Sequence, residues 1–343
     1  MPGFAAKLVA WQKRHGRHDL PWQRMRDPYA IWVSEIMLQQ TRVAAVIPYY
    51  RRFMKRFPTI AALARAPLDE VLAHWSGLGY YSRARNLHRA ARAVLAEHGG
   101  RFPRNFEAVT RLPGIGRSTA AAILAFAYGK RCAILDGNVK RVLTRCFGIS
   151  GYPGEPRVER VLWDKAEALL PARGIAAYTQ ALMDLGATVC TRRNPDCAAC
   201  PLHAGCVARR TGRTAELPSP RRRKPLPERT TMMLVLTHAG EVLLEKRPPT
   251  GIWGGMWSLP EIAPGEDAQR VCAARFGVAT APPAALPPLV HGFTHFRLTI
   301  LPRRCEVTRG AARAGEPGQV WLPVEEALGA ALPAPVKRIL QAL

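Results

Sequence analysis

Glu35 sits where its helix should be apolar. It follows Ile31 and Trp32 and precedes Leu38, so at helical spacing it shares a stripe with hydrophobic neighbours rather than with solvent. Burial disfavours a carboxylate, raises its pKa, and keeps a proton available for general acid catalysis near neutral pH. A second carboxylate, Asp136, stands in Leu135-Asp136-Gly137-Asn138-Val139, where a helix with Val139, Val142, Leu143 and Cys146 on its apolar face begins. Aspartate there caps a helix. It can also face the sugar of a bound nucleotide and steady positive charge on it, and the two roles are compatible.

Cys190, Cys197, Cys200 and Cys206 form a C-x6-C-x2-C-x5-C run. Four thiolates so close in sequence can surround one metal centre. Zinc ribbons use two separated C-x2-C knuckles, whereas here one knuckle is flanked by single cysteines, which favours a 4Fe–4S cluster over zinc. With all four positions filled by protein, such a centre braces a loop rather than hydrolysing a substrate. Cys132, Cys146, Cys272 and Cys305 are scattered as core residues would be.

Lys and Arg outnumber Asp and Glu by 50 to 25, a net charge of +25. Such a field attracts polyanions, nucleic acid above all. In Leu112-Pro113-Gly114-Ile115-Gly116, Gly114 and Gly116 permit a tight turn and let backbone N–H groups approach a phosphate at the start of the next helix. A Gly-x-Gly alone is also an ordinary helix–helix turn. Between two helices and upstream of the cysteine run, it is the hairpin of a helix-hairpin-helix, which reads DNA backbone without reading sequence.

The elements that must position these groups are mostly helical. Residues from about 28 to 170 form helix after helix, over 43–57, 68–75, 82–98, 105–111, 118–128 and 139–146, separated by Gly- and Pro-marked turns. Residues 211–228 hold four prolines and the run Arg221-Arg222-Arg223-Lys224, the composition of a stiff extended linker with a solvated basic face. Beyond it come strands over 231–237, 241–246 and 296–307, a hairpin turn at His238-Ala239-Gly240, and helices over 267–276, 324–328 and 335–343. The chain is therefore multidomain: an all-α domain over 1–210, a linker over 211–228, and an α+β domain over 229–343. No stretch approaches the ~20 apolar residues of a membrane span, and the N-terminus has no apolar signal core, so a cytosolic location is expected; a monomer is expected as well.

The segment Trp32 to Thr41, the run Gly77-Leu78-Gly79-Tyr80-Tyr81, the hairpin, the run around Asp136 and the four cysteines together resemble the MutY family of adenine DNA glycosylases. That family lies in the helix-hairpin-helix superfamily that includes endonuclease III, and the resemblance covers nearly the whole chain. It implies a double-stranded DNA partner with adenine opposite 8-oxoguanine or guanine, and an adenosine flipped into a pocket. It further implies that Glu35 protonates adenine at N7 while Asp136 stabilises the oxocarbenium-like sugar, with the two carboxyl pKa values pushed apart. Gln40 and Tyr80 match residues that wedge into the base stack, Thr41 and Leu78 those near the opposing base, and Asn138 a polar residue of the pocket. Ser118 occupies the position where endonuclease III-like enzymes carry a Schiff-base lysine, so the base should be cut but not the strand. Ser118 is also expected to cap the helix it opens. Lys140, on the polar side of the next helix, is placed to contact DNA and to reach an opened abasic sugar.

The C-terminal domain resembles a Nudix fold through Gly251-Ile252-Trp253-Gly254-Gly255-Met256-Trp257-Ser258-Leu259-Pro260. A working Nudix site needs glutamates on the following helix, where this chain has Val271, Ala274 and Arg275, so no magnesium cluster can form there. The domain is expected to read DNA, with Phe293, Thr294 and His295 matching the family's Phe-Ser-His loop for 8-oxoguanine. The expectation is thus a monofunctional adenine glycosylase. Against an endonuclease III-like glycosylase/lyase stand Glu35, Ser118 and the second domain. Against a Nudix hydrolase stand the missing glutamates, and against a non-catalytic mismatch binder the presence of both carboxylates.

Overall fold

A computed structural model describes residues 3–23, 26–221, 225–310 and 317–343. Of the linker's basic run, Arg222 to Lys224 lie outside the described residues. The chain divides into two compact units, Met1–Arg65 with Asn86–Arg223, and Ala66–Arg85 with Lys224–Leu343. Packing thus gives the second unit a segment, 66–85, that the sequence places in the helical domain.

The first unit is helical throughout. Its helix Arg117–Tyr128 is central: Ala120, Ala121, Ala122, Ile123, Leu124 and Ala125 are all buried. Four alanines among those six let neighbouring helices approach closely, and Pro28–Leu38 and Ile175–Asp184 both pack on it. Pro28–Leu38 is itself buried almost all round. Pro28 sits at its first turn, and Asp27 accepts the Tyr29 and Ala30 N–H groups, so its start is fixed. The helical region runs past both ends of the expected 28–170. Phe4–His15 buries Phe4, Leu8, Trp11 and Gln12 at helical spacing, and Ile175–Asp184 continues into a π-helical turn, Leu185–Val189.

The second unit contains one mixed sheet. Glu228–His238 runs parallel to Arg297–Arg309 and antiparallel to Glu241–Lys246. Ala239 and Gly240 turn that hairpin with φ of 47° and 84°, the left-handed pair that a two-residue loop between twisted strands requires. Leu234, Val235 and Leu236 are all fully buried, because this central strand is covered on both faces. The helix Ala268–Phe276, capped by Asp267, buries Cys272 against Cys305 and Val307. Leu68–Trp75 joins this unit through a Lys246–Asp69 ion pair and a bond from Ser76 Oγ to the Leu332 carbonyl at 2.8 Å. Among the described residues no helix is long and apolar enough to cross a membrane.

The π-turn offers a stability test. A Cβ on Gly186 would lie 2.5 Å from Asn138 Cβ, with backbone behind it. Gly186→Ala should lower unfolding stability by about 1–3 kcal/mol, the usual cost of overpacking, read as a shift in denaturant midpoint. An unchanged midpoint would show that the turn relaxes freely.

Candidate active site

Glu35 projects from the buried helix Pro28–Leu38 into a cavity of about 310 Å³ in the first unit. Burial, and then repulsion from Asp136, push its carboxyl up to about 8. Nothing opposes the rise. Asp136 caps the helix Gly137–Phe147, accepting the Val139 N–H at 2.7 Å. Burial raises its pKa too, but the Val139 and Asn138 N–H groups, Arg141 and the Asn138 side chain all favour its charged form. Burial raises both carboxyls. They differ in that only Asp136 is supplied with donors, so Glu35 is the natural holder of a proton and Asp136 of the charge.

The cavity wall holds residues that the sequence reading passes over. Asp184, fully buried, accepts from Arg17 Nε at 2.7 Å and from Gln180 Nε2 at 2.8 Å. Arg17 and Gln180 line the cavity, so the Asp184 carboxylate fixes two hydrogen-bonding groups on its wall. The available signal was an aspartate at the end of an otherwise apolar helix, the same kind of anomaly that marks Glu35. Ser34 Oγ donates back to the Ile31 carbonyl at 2.7 Å. Asp136, Asn138 and Ser118 are not among the residues lining this cavity. Asn138 Oδ1 accepts from Arg141 Nη2 at 2.9 Å.

Ser118 corrects one expectation. The helix begins at Arg117 with Gly116 as its cap residue, so Ser118 is not the N-cap. Its hydroxyl instead accepts the Leu135 N–H at 3.0 Å, bracing the chain immediately before Asp136. Lys140 is paired with Glu159 at 2.6 Å. In the hairpin, Gly114 takes φ 79°, and a Cβ there would meet Asn86 at 2.7 Å, so glycine is required. A Cβ on Gly116 would meet nothing, which leaves the start of the helix open to a phosphate. Gln40 is exposed with φ 55°, and Thr41 Oγ1 donates to the Gln39 carbonyl at 3.3 Å.

Cys190, Cys197, Cys200 and Cys206 line one common cavity with Arg145. Among the described residues no three groups are drawn together as ligands of a single metal ion. The donor set nevertheless fits a polynuclear centre. Burial and mutual repulsion raise Cys197 and Cys200, so four thiolates would need a cationic centre among them. The loop is held by two arginines of the helix that Asp136 caps. Arg141 Nε reaches the Cys190 carbonyl at 2.7 Å. Arg145 bonds the carbonyls of Thr191 at 2.6 Å and Leu217 at 2.7 Å, and approaches Cys190 Sγ at 3.5 Å.

In the second unit Leu78 is buried, and Tyr80 is 43% exposed with φ 50° between Gly79 and Tyr81. Phe293, Thr294 and His295 lie in a hairpin loop whose flanking Gly292 and Arg297 pair across the strands. Phe293 is half-buried against Phe296, with rings 4.4 Å apart, while Thr294 and His295 are exposed. The helix Ala268–Phe276 carries no carboxylate, and Arg275 on it reaches Glu245 at 2.7 Å. A cation would find an arginine where a Nudix hydrolase needs ligands.

Comparison with known proteins agrees with this layout. Residues 33–168 match the HhH-GPD superfamily of base excision DNA repair proteins, and residues 231–342 match the NUDIX domain family. The chain is 35% identical over 340 residues to the adenine DNA glycosylase of Buchnera aphidicola subsp. Acyrthosiphon pisum, covering 98% of this chain and 97% of the relative. The human adenine DNA glycosylase is 35% identical over 407 residues, covering 98% of this chain and 73% of that protein. A thermostable thymine-DNA glycosylase superposes with a TM-score of 0.56 at 33% identity, over 61% of this chain and 95% of its own. A DNA-bound endonuclease III shares the fold at 22% identity, with a TM-score of 0.51 over 60% of this chain and 94% of its own. With the Glu35 carboxyl, the hairpin, the cysteine loop and a Nudix-like unit whose helix Ala268–Phe276 lacks carboxylates on one chain, this protein belongs to the adenine DNA glycosylase family and is a DNA glycosylase of base excision repair.

Proposed function

We propose that the protein hydrolyses the N-glycosidic bond of adenine opposite 8-oxoguanine, and more slowly opposite guanine, in double-stranded DNA, without cutting the strand. The observation that carries this reading is the Glu35 carboxyl, held protonated to about pH 8 at the wall of a cavity large enough for a base. Glu35 gives its proton to adenine N7, and the bond between the anomeric carbon and N9 breaks with its electrons leaving on the base. Asp136, whose charged form the Val139 and Asn138 N–H groups favour, faces the oxocarbenium-like sugar. Water adds to the anomeric carbon and its proton returns to the Glu35 carboxylate, leaving free adenine and an abasic site. Arg17 and Gln180, fixed by Asp184, supply hydrogen bonds to the base edge. Gly114 and Gly116 offer backbone N–H groups to phosphate. Gln40 and Tyr80 wedge into the stack, Thr41 and Leu78 lie near the opposing base, and Phe293, Thr294 and His295 address the opposing 8-oxoguanine.

Cys190, Cys197, Cys200 and Cys206 would hold a 4Fe–4S cluster, which stabilises its loop and supplies no step of the hydrolysis. Two features weigh against the lyase alternative. Ser118 offers a hydroxyl already engaged with Leu135, and Lys140 is ion-paired.

Three measurements check this reading. Glu35→Gln should bind a mismatched duplex as the wild type does and lose at least ~100-fold in single-turnover adenine release. Because the folded carboxyl titrates near 8, the acid form dominates below that pH. Wild-type rates should fall about tenfold per pH unit above it, a limb absent from the variant. Near wild-type rates in Glu35→Gln would make the residue structural.

Anaerobically purified protein should carry about four irons per chain with broad visible absorption. Stoichiometric zinc without iron would contradict the cluster.

Reactions split and read with and without alkali should show breaks at adenine sites almost only in the alkaline half. Equal cleavage in both halves, abolished in Lys140→Ala, would establish a bifunctional enzyme.

A further inference from the structure

The two loops of the second unit that the proposed function sends to the DNA, Gly77–Tyr80 and Phe293–His295, are far apart in sequence and are joined by a third. Arg85, just past the first loop, donates from Nη1 to the Gly254 carbonyl at 2.6 Å. The neighbouring Trp253 is buried, and its ring lies 5.5 Å from Phe293 and 5.7 Å from His291. One hydrogen bond and one aromatic contact therefore lead from the base of one loop to the base of the other.

The joining turn is built to hold its shape. Trp253 adopts φ 54°, a left-handed conformation that a bulky residue keeps only where its surroundings dictate it. Arg247 supplies those surroundings: its Nε donates to the Ile252 carbonyl at 2.9 Å, its guanidinium lies 5.5 Å from the Trp253 ring, and it pairs with Glu261. A Cβ on Gly254 would lie 2.7 Å from the Pro249 carbonyl oxygen, so the turn closes tightly on its own backbone. The first loop is equally constrained. Gly77, Gly79 and Tyr80 all have positive φ, and Arg83 Nη2 and Trp75 Nε1 both donate to the Gly79 carbonyl. Each loop is fixed at its base and exposed at its tip, at Tyr80 on one side and at Thr294 and His295 on the other.

Resting on the proposed recognition of 8-oxoguanine, we propose that Arg85 and Trp253 are positioning residues that couple the Gly77–Tyr80 loop to the Phe293–His295 loop, so that the two read the opposing base as one surface. Neither residue contacts DNA in this scheme. Each sets the geometry of groups that do, and the coupling is the physical basis of discrimination between 8-oxoguanine and guanine opposite adenine.

The test uses the full-length, cluster-loaded protein and the ratio of single-turnover excision rates on A:8-oxoG and A:G duplexes. Arg85→Ala and Trp253→Ala should each lower that ratio by roughly 5- to 20-fold, the scale of coupling between contiguous groups. The double variant should fall no further than the worse single, because each substitution breaks the same chain. Arg85→Lys, which keeps a donor, and Trp253→Phe, which keeps a ring, should restore part of the ratio; they also serve if an alanine variant fails to fold. Phe293→Ala is the reference for loss of the loop itself. A ratio lost in Phe293→Ala but unchanged in the folded Arg85 and Trp253 variants overturns the coupling alone, as does a double variant whose losses multiply. A wild-type enzyme with equal rates on the two duplexes overturns the reading of 8-oxoguanine recognition on which the coupling rests.

Discussion

Two half-buried carboxyl groups near one another set the terms for the rest of the helical unit. Both cannot be charged at low cost, because desolvation and repulsion add. The fold resolves this by unequal provisioning. Asp136 sits at a helix start with backbone N–H groups, Asn138 and Arg141 around it, whereas Glu35 receives only burial and the field of Asp136. The proton therefore resides on Glu35 at neutral pH. Its helix has to be buried almost all round for this to work, and the alanine-rich helix Arg117–Tyr128 lets it be.

The same provisioning explains the attachments of the helix Gly137–Phe147. Its first turn fixes Asp136, and Ser118 steadies the preceding Leu135. Further along it, Arg141 and Arg145 reach the carbonyls of the cysteine loop, and Gly186 lets the π-turn press against Asn138. Disorder in the cysteine loop would release both arginines from one end of the helix that carries Asp136. A metal centre that performs no hydrolysis can in this way still matter to the chemistry.

Much of this was legible in the residues. Glu35 stood out because a charge on an apolar stripe needs a reason, and the cysteine spacing and the hairpin glycines were equally local signals. The linker prolines and the turn at Ala239-Gly240 marked where helices give way to strands. What escaped depends on contacts between distant positions. Asp184 meets Arg17 across 167 residues, and no window of sequence joins them. Ser118 looked like a cap because serine is among the favoured cap residues, yet the helix starts after Gly116 and the hydroxyl goes to Leu135. The helix Phe4–His15 had the right periodicity but many charges, and its buried face shows only in the packed unit. The grouping of residues 66–85 with the C-terminal unit shows in contacts between distant positions, among them Asp69 with Lys246, Ser76 with Leu332 and Arg85 with Gly254, which composition cannot reveal.

The central claim is the protonation state of one side chain, and it can be observed without any substrate. Carbon-13 NMR of protein labelled at the glutamate side-chain carboxyl, with the Glu35 resonance assigned by its absence from Glu35→Gln, would follow its titration directly. The account predicts a midpoint near pH 8, moving down in Asp136→Asn as the neighbouring charge is removed. A midpoint in the ordinary glutamate range, near 4.5, and indifferent to Asp136, would contradict it.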